Sequence, residues 1–157
     1  MVTFKDALRY PLIKAGLLFL VLAIVLALIS MYEVPKSGIW SGEIKTGKYL
    51  IGDSNFERSY YINNRTLTIY SQNASLLLIH GNKIDVYNLK NESVVLNPLS
   101  QPQINVESGE VKYTYNVKGV DYPYALLAWV AFVIMLVGSA LSLIGYLRFM
   151  EELKGGP

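Results

Sequence analysis

The sequence predicts an integral membrane protein: two transmembrane α-helices, packed as an antiparallel hairpin, flank an all-β extracytoplasmic domain. That domain reads as a sandwich or small barrel of seven or eight antiparallel strands. Three observations carry this. Two long apolar runs lack any charge, at residues 15–32 and 122–147. Between them the hydrophobic period changes from helical to two. The formal net charge of +2 arises entirely in the first 14 residues.

Composition narrows the function classes. Of 157 residues, 52% are hydrophobic and only 17% charged, with a mean hydropathy of +0.32. A disordered chain needs the reverse balance. With no cysteine and one histidine, the sequence excludes a disulfide scaffold, a thiolate metal site, a cysteine nucleophile and a multi-histidine metal site.

The predicted architecture runs as follows. Residues 1–11 form a cytoplasmic N-tail and residues 12–32 the first transmembrane helix. A span needs about 20 apolar residues, reached here because the stem of Lys14 snorkels toward the headgroups. The run is longer than the core of a secretory signal and lacks a good cleavage pattern, so it reads as a retained anchor. Thr3 and Asp6 resemble a capping box, with Phe4 and Leu8 on one face, consistent with a short interfacial helix or a flanking turn. Residues 122–147 form the second span and residues 148–157 a cytoplasmic C-tail. Tyr32, Tyr122, Tyr124, Trp129 and Tyr146 sit at the span ends, where amphipathic rings favour the headgroup level. Lys5, Arg9 and Lys14 against Asp6 place the N-terminus inside by the positive-inside rule. Two spans return the C-terminus to that side and leave residues 33–121 outside, in the cell membrane.

Small residues recur at heptad spacing on both spans. On the first they are Gly16, Ala23 and Ser30, with Ala27; on the second Ala131, Gly138 and Gly145, with Ser142. In lipid, close backbone approach replaces the hydrophobic force between helices. The two stripes are therefore expected to face each other. No ionisable residue lies deep in either span, as ion pathways and proton relays normally need.

In the outer segment, residues 34–42 contain Pro35, Gly38 and Gly42 and read as a linker. Strands are expected near 44–51, 59–63, 66–71, 75–80, 83–89, 93–96, 103–107 and 110–117. The run 76–79, apolar on both faces, suits a central strand. Gly81-Asn82 and Ser108-Gly109 are expected to be tight turns. No window reads as helical. Asn64, Asn73 and Asn91 open N-x-S/T sequons, which fits an outward face. Ten Asn and 13 Ser or Thr in these 89 residues would give roughly 1.5 sequons by chance, so three add modest support.

No motif names an activity. His80 sits beside a predicted turn with Asp85 across it, and reads as an exposed turn residue because no nucleophile elbow surrounds any serine. Glu107 and Glu110 flank one turn without calcium-loop spacing. Residues 41–48 lack phosphate-loop spacing. No catalytic, cofactor-binding or metal residue is assigned. Two or three of the seven outer tyrosines (Tyr49, Tyr60, Tyr61, Tyr70, Tyr87, Tyr113, Tyr115) are candidates for a recognition patch. Nine basic and nine acidic residues balance in the outer segment, which argues against nucleic acid as a partner. The expected function is a non-catalytic membrane protein, not an enzyme. Its β domain would bind a protein partner or a second copy, or serve an accessory role in a membrane assembly. The alternatives are a subunit of an oligomeric channel or transport complex, and less favoured, a membrane-bound hydrolase using His80.

Overall fold

The structure, a computed structural model, describes residues 10–155. The capping-box pattern at Thr3 and Asp6, the basic residues Lys5 and Arg9, and the terminal Gly156-Pro157 lie outside the described residues. The chain divides into two compact units. One holds the helical segments from both ends of the chain; the other is Val34–Asp121.

In the helical unit, α1 (Pro11–Ser30) and α3 (Leu126–Lys154) pack antiparallel. Pro11 stands in the first turn of α1, where its missing N–H would have had no partner. Pro123 belongs to the turn before α3, and α3 continues past Arg148 through Phe149–Lys154, as the sequence leads one to expect, with Gly155 as its C-cap.

The β unit holds eight strands: β1 (Val34–Ile44), β2 (Gly47–Leu50), β3 (Tyr61–Ser71), β4 (Ala74–His80), β5 (Lys83–Leu89), β6 (Glu92–Leu96), β7 (Gln103–Gly109) and β8 (Val111–Asp121). They form two four-stranded antiparallel sheets, ordered β1-β8-β3-β6 and β2-β7-β4-β5. The pairs β1·β8, β2·β7, β3·β6 and β4·β5 are those of one long hairpin. Wrapping that ribbon adds β3·β8 and β4·β7. This is the jelly-roll form of an antiparallel sandwich. Its core, between the sheets, is filled by Ile51, Leu67, Ile69, Leu76, Leu78, Ile104, Val106, Val111, Tyr115 and Val117. The run 76–79 lies in β4, a central strand, with Leu76 and Leu78 inward.

Several local expectations are corrected. Residues 34–42 are not a linker but most of β1. Pro35 is tolerated because β1 is an edge strand. Gly38 and Gly42 are there for aromatic rings: a Cβ on Gly38 would collide with the Trp40 indole, and one on Gly42 would meet the Tyr113 ring at 3.2 Å. The expected strands 59–63 and 66–71 are one strand, β3. Asn63-Asn64 is a register shift within it, between Ile62 and Asn64, and not a turn. Strand 44–51 divides between the end of β1 and β2, and the last strand runs on to Asp121. The absence of helix is also overturned. A short α2 (Ser54–Ser59) interrupts the strands, capped by Asp53, whose carboxylate accepts from the Asn55 N–H at 2.8 Å.

Strand direction divides the connections between two ends of the sandwich. At one end are four short turns, at residues 45–46, 72–73, 90–91 and 110. At the other are the segment 51–60 with α2, the turn Gly81-Asn82 and the loop 97–102. Val34 pairs with Asp121 and Tyr61 with Val120, so both chain ends of the unit emerge at this second end.

Candidate functional site

On α1, Gly16, Ala23 and Ser30 are buried, and on α3 Ala131, Gly138 and Gly145. Ala27 and Ser142 are half-buried. A Cβ on Gly16 would collide with the Ser142 hydroxyl and lie 2.7 Å from the Gly138 carbonyl oxygen. One on Gly138 would lie 2.9 Å from the Gly16 carbonyl oxygen, and one on Gly145 3.0 Å from the Ile13 nitrogen. The helices therefore touch backbone to backbone along this seam, which larger side chains would force apart. Ser30 donates to the Ala27 carbonyl at 2.6 Å. Ala23, Ala27 and Ala131 also line an apolar groove of about 440 Å³, walled by Leu20, Phe132 and Met135.

In the β unit, the densest polar cluster lies toward the long-loop end. The Glu57 carboxylate, on α2, is nearly buried. It accepts from Arg65 Nη2 at 2.7 Å, Arg65 Nε at 3.1 Å and the Tyr115 hydroxyl at 2.6 Å. The hydrogen bond to Glu57 raises the Arg65 pKa above its ordinary value. Burial raises the Tyr115 pKa, and the bond to the Glu57 carboxylate raises it further. Trp40 packs on Tyr115 and Phe56, with ring centroids at 5.9 and 5.4 Å. Sequence reasoning misses this cluster because its members stand at 57, 65 and 115 on three elements. The alternation of β8 marks Tyr115 as inward but names no partner.

His80 is not an exposed turn residue; it is buried at the end of β4. Its Nδ1 accepts the Leu99 N–H at 3.3 Å, and its Nε2 lies 3.0 Å from Asp85. This pattern defines the Nε2–H tautomer, with Asp85 as acceptor. Nδ1 holds loop 97–102 through Leu99 and Nε2 is taken by Asp85 on β5, which leaves neither ring nitrogen to activate a serine. Arg65 Nη1 donates to the Leu99 carbonyl at 3.1 Å, so both polar backbone groups of Leu99 are held by side chains.

At the short-turn end, an open polar cavity of about 320 Å³ is lined by Glu43, Tyr70, Asn73, Glu110 and Lys112 among others. Glu110 lies 3.7 Å from Lys45, and Glu43 3.5 Å from Lys112. Glu107 accepts from Ser75 at 3.3 Å. Among the described residues no three His, Asp or Glu side chains converge as a metal site needs. Asn64 and Asn73 are exposed; Asn91, at φ 53, accepts from the Tyr70 hydroxyl at 2.9 Å. Of the other outer tyrosines, Tyr49, Tyr87 and Tyr113 pack against the core and Tyr60 lies beneath the Lys36 ammonium. Tyr61 is strongly exposed.

No family model matches the sequence, and no curated protein matches it. Among solved structures, the chain is similar to a protein of unknown function of the DUF861 family from Pseudomonas syringae. The TM-score is 0.32 at 15% identity, covering 50% of this chain and 30% of that one. It is similar to the capsular polysaccharide assembling protein CapF from Staphylococcus aureus, at TM-score 0.33 and 12% identity, covering 54% of this chain and 24% of that one. It is also similar to WlaRA, a TDP-fucose-3,4-ketoisomerase from Campylobacter jejuni, at TM-score 0.23 and 8% identity, covering 64% and 73%. None of these likenesses assigns an activity. They do overturn one expectation. With an isomerase among the similar structures, the reading of this chain as no enzyme does not stand.

Proposed function

We propose that this chain is an integral protein of the cell membrane whose two helices cross the bilayer as an antiparallel hairpin, with both termini cytoplasmic. On this reading, residues 33–121 face outward, and the jelly roll serves as a recognition unit for a protein partner or a second copy within a membrane assembly.

One observation carries the reading. Apart from their glycine-lined seam, α1 and α3 leave their large apolar residues uncovered, among them Leu18 at 71% and Trp129 at 72% exposure. Core helices of soluble domains bury such residues; hydrocarbon is the solvent in which they are stable exposed. The Tyr122 hydroxyl donates to Glu33 at 2.7 Å, and the Tyr32 and Tyr124 rings lie 6.2 Å apart, an aromatic and polar collar suited to headgroups.

The recognition role is supported by the free edges of the sandwich. β5 pairs only with β4, and β6 only with β3. These consecutive strands carry Val86, in the middle of β5, and Val95, next to the end of β6, both exposed. An open, apolar strand edge offers backbone hydrogen bonds and side-chain contact to another chain. The test is the solution mass of the detergent-solubilised protein, alone and with Val86→Lys and Val95→Lys. A defined oligomer or stoichiometric complex that dissociates in both variants supports the reading. A lone monomer under all conditions, or an assembly indifferent to both substitutions, contradicts it.

A further inference from the structure

We infer that the partner at the free edges is a second copy of this chain, joined about a two-fold axis that passes through Val86 of β5 and Val95 of β6. Each edge strand pairs antiparallel with its own counterpart, so both four-stranded sheets continue into the partner. This rests on the reading of the free edges as recognition sites.

The two open sides of the sandwich differ. β1 and β2 edge one side, where Pro35 interrupts the row of donors on β1 and β2 is only four residues long. β5 and β6 edge the other, seven and five residues long, without proline, glycine or a register shift.

The open backbone groups follow from the register. The two-residue turn Gly81-Asn82 closes on His80 and Lys83 as a hydrogen-bonded pair, so the odd-numbered residues of β5 bond to β4. Ile84, Val86 and Asn88 direct their N–H and C=O groups away from it. On β6, the Asn91 N–H donates to the Gln72 carbonyl at 2.9 Å, so Ser93 and Val95 bond to β3 in turn. Glu92, Val94 and Leu96 are left open.

One axis serves both strands. Val86 is three residues from Leu89, the end of β5, and Val95 three from Glu92, the start of β6, with the turn 90–91 between. The two valines therefore stand at one height, in different sheets. About an axis there, Val86 meets its own copy as a hydrogen-bonded pair, and Ile84 meets the partner's Asn88. Val95 faces the partner's Val95, while Val94 and the partner's Leu96 exchange backbone bonds. No like charges stand directly opposite.

Charge complementarity favours a second copy over an unrelated strand. Lys83 shares the inward side of β5 with Tyr87 and Leu89, and Glu92 that of β6 with Val94 and Leu96. Neither has an ion-pair partner among the described residues. The axis carries the partner's Lys83 to the level of Leu89, which is also the level of Glu92. Ammonium and carboxylate then face each other across the roughly 10 Å between packed sheets, a gap that the two side chains together span, and symmetry repeats the pair. The contact also covers Tyr87, Val94 and Leu96, which the single chain leaves half-buried beside its core.

The chain has no cysteine, so single cysteines report the axis in the full-length protein in detergent. Val86→Cys and Val95→Cys should each form an intermolecular disulfide in high yield under mild oxidation, since directly opposed antiparallel residues have Cα atoms about 4.5–5.5 Å apart. Ile84→Cys and Asn88→Cys are also exposed, but each is four residues, about 13 Å, from the point opposite its own copy. Either alone should cross-link several-fold less, and mixing the two should raise the yield. Lys83→Glu should weaken dimerisation several-fold, and adding Glu92→Lys should recover it. Equal yields at 84 and 86, or cross-linking at 86 without 95, refute the axis. A stoichiometric complex that Val86→Lys dissociates, with no disulfide at 86 or 95, refutes the second copy as partner while the recognition reading stands. A lone monomer under all conditions overturns both.

Discussion

Replacing Arg65 with methionine isolates the cost of the buried carboxylate. Glu57 is 7% exposed at its side chain, and Arg65 supplies two of its shortest contacts, at 2.7 and 3.1 Å. Without Arg65, the carboxylate keeps the Tyr115 hydroxyl at 2.6 Å but loses its counter-charge. Breaking one side of a buried ion pair costs about 3–5 kcal/mol, because the remaining charge cannot recover its hydration. The lost Leu99 carbonyl contact is exposed, where water substitutes, and adds little. For a unit of this size each kcal/mol moves Tm by about 4–8 °C, so Arg65→Met should lower Tm by at least roughly 12 °C. Trp40, packed on Tyr115, reports the transition by fluorescence in a Trp129→Phe background. Adding Glu57→Gln removes the stranded charge and should restore about 1–3 kcal/mol. A loss below about 1 kcal/mol for Arg65→Met, the range of an exposed pair, would refute the reasoning.

Three further predictions follow from the same contacts. Gly138→Leu should separate the helices, since even its Cβ would lie 2.9 Å from the Gly16 carbonyl oxygen; cross-linking between Ala23→Cys and Ala131→Cys should fall sharply, and an unchanged yield would contradict the glycine seam. His80→Ala should cost about 1–3 kcal/mol, because the Leu99 N–H loses its acceptor; denaturant unfolding measures this, and a neutral result would mean water replaces the ring freely. Stability should decline above about pH 10: the raised folded pKa of Tyr115 means the unfolded phenol releases its proton first, so the native state holds more protons there. Urea midpoints near pH 9 and pH 11 give that slope; Tyr115→Phe should flatten it, and an unaltered slope would assign it elsewhere.

Two features were legible because they are local. The absence of charge over 15–32 and 122–147 marks the two long apolar helices, and alternation such as Val111, Tyr113, Tyr115, Val117 marks strands. Such signals support seven or eight short antiparallel strands in a sandwich or small barrel; the two sheets and their pairing order depend on contacts between distant strands. The misreadings share a physical cause, a residue whose usual local meaning is overridden by a distant partner. Gly38 and Gly42 look like linker residues but make room for Trp40 and Tyr113. Asn63-Asn64 falls at the break between the expected strands 59–63 and 66–71 but continues β3 through a register shift against β8. Asp53 with Glu57 in the first turn was a usable signal for α2, being a cap and a favourable charge at a helix N-terminus. The polar cluster had no local signal. His80 and Asp85 face each other across the β4–β5 turn, as the sequence suggests, but Leu99 joins them only because loop 97–102 returns there, and Arg65 reaches both Glu57 and Leu99 only in the folded sandwich.

The most direct test of the central claim, a hairpin that crosses the membrane with the jelly roll outside, is labelling of single cysteines in intact cells by a membrane-impermeant maleimide. The account predicts that Asn73→Cys reacts in intact cells, that Lys154→Cys reacts only after the membrane is opened, and that Val25→Cys stays unreactive until detergent is added. Equal labelling of residues 73 and 154 in intact cells, or ready labelling of residue 25 in the membrane, would contradict it.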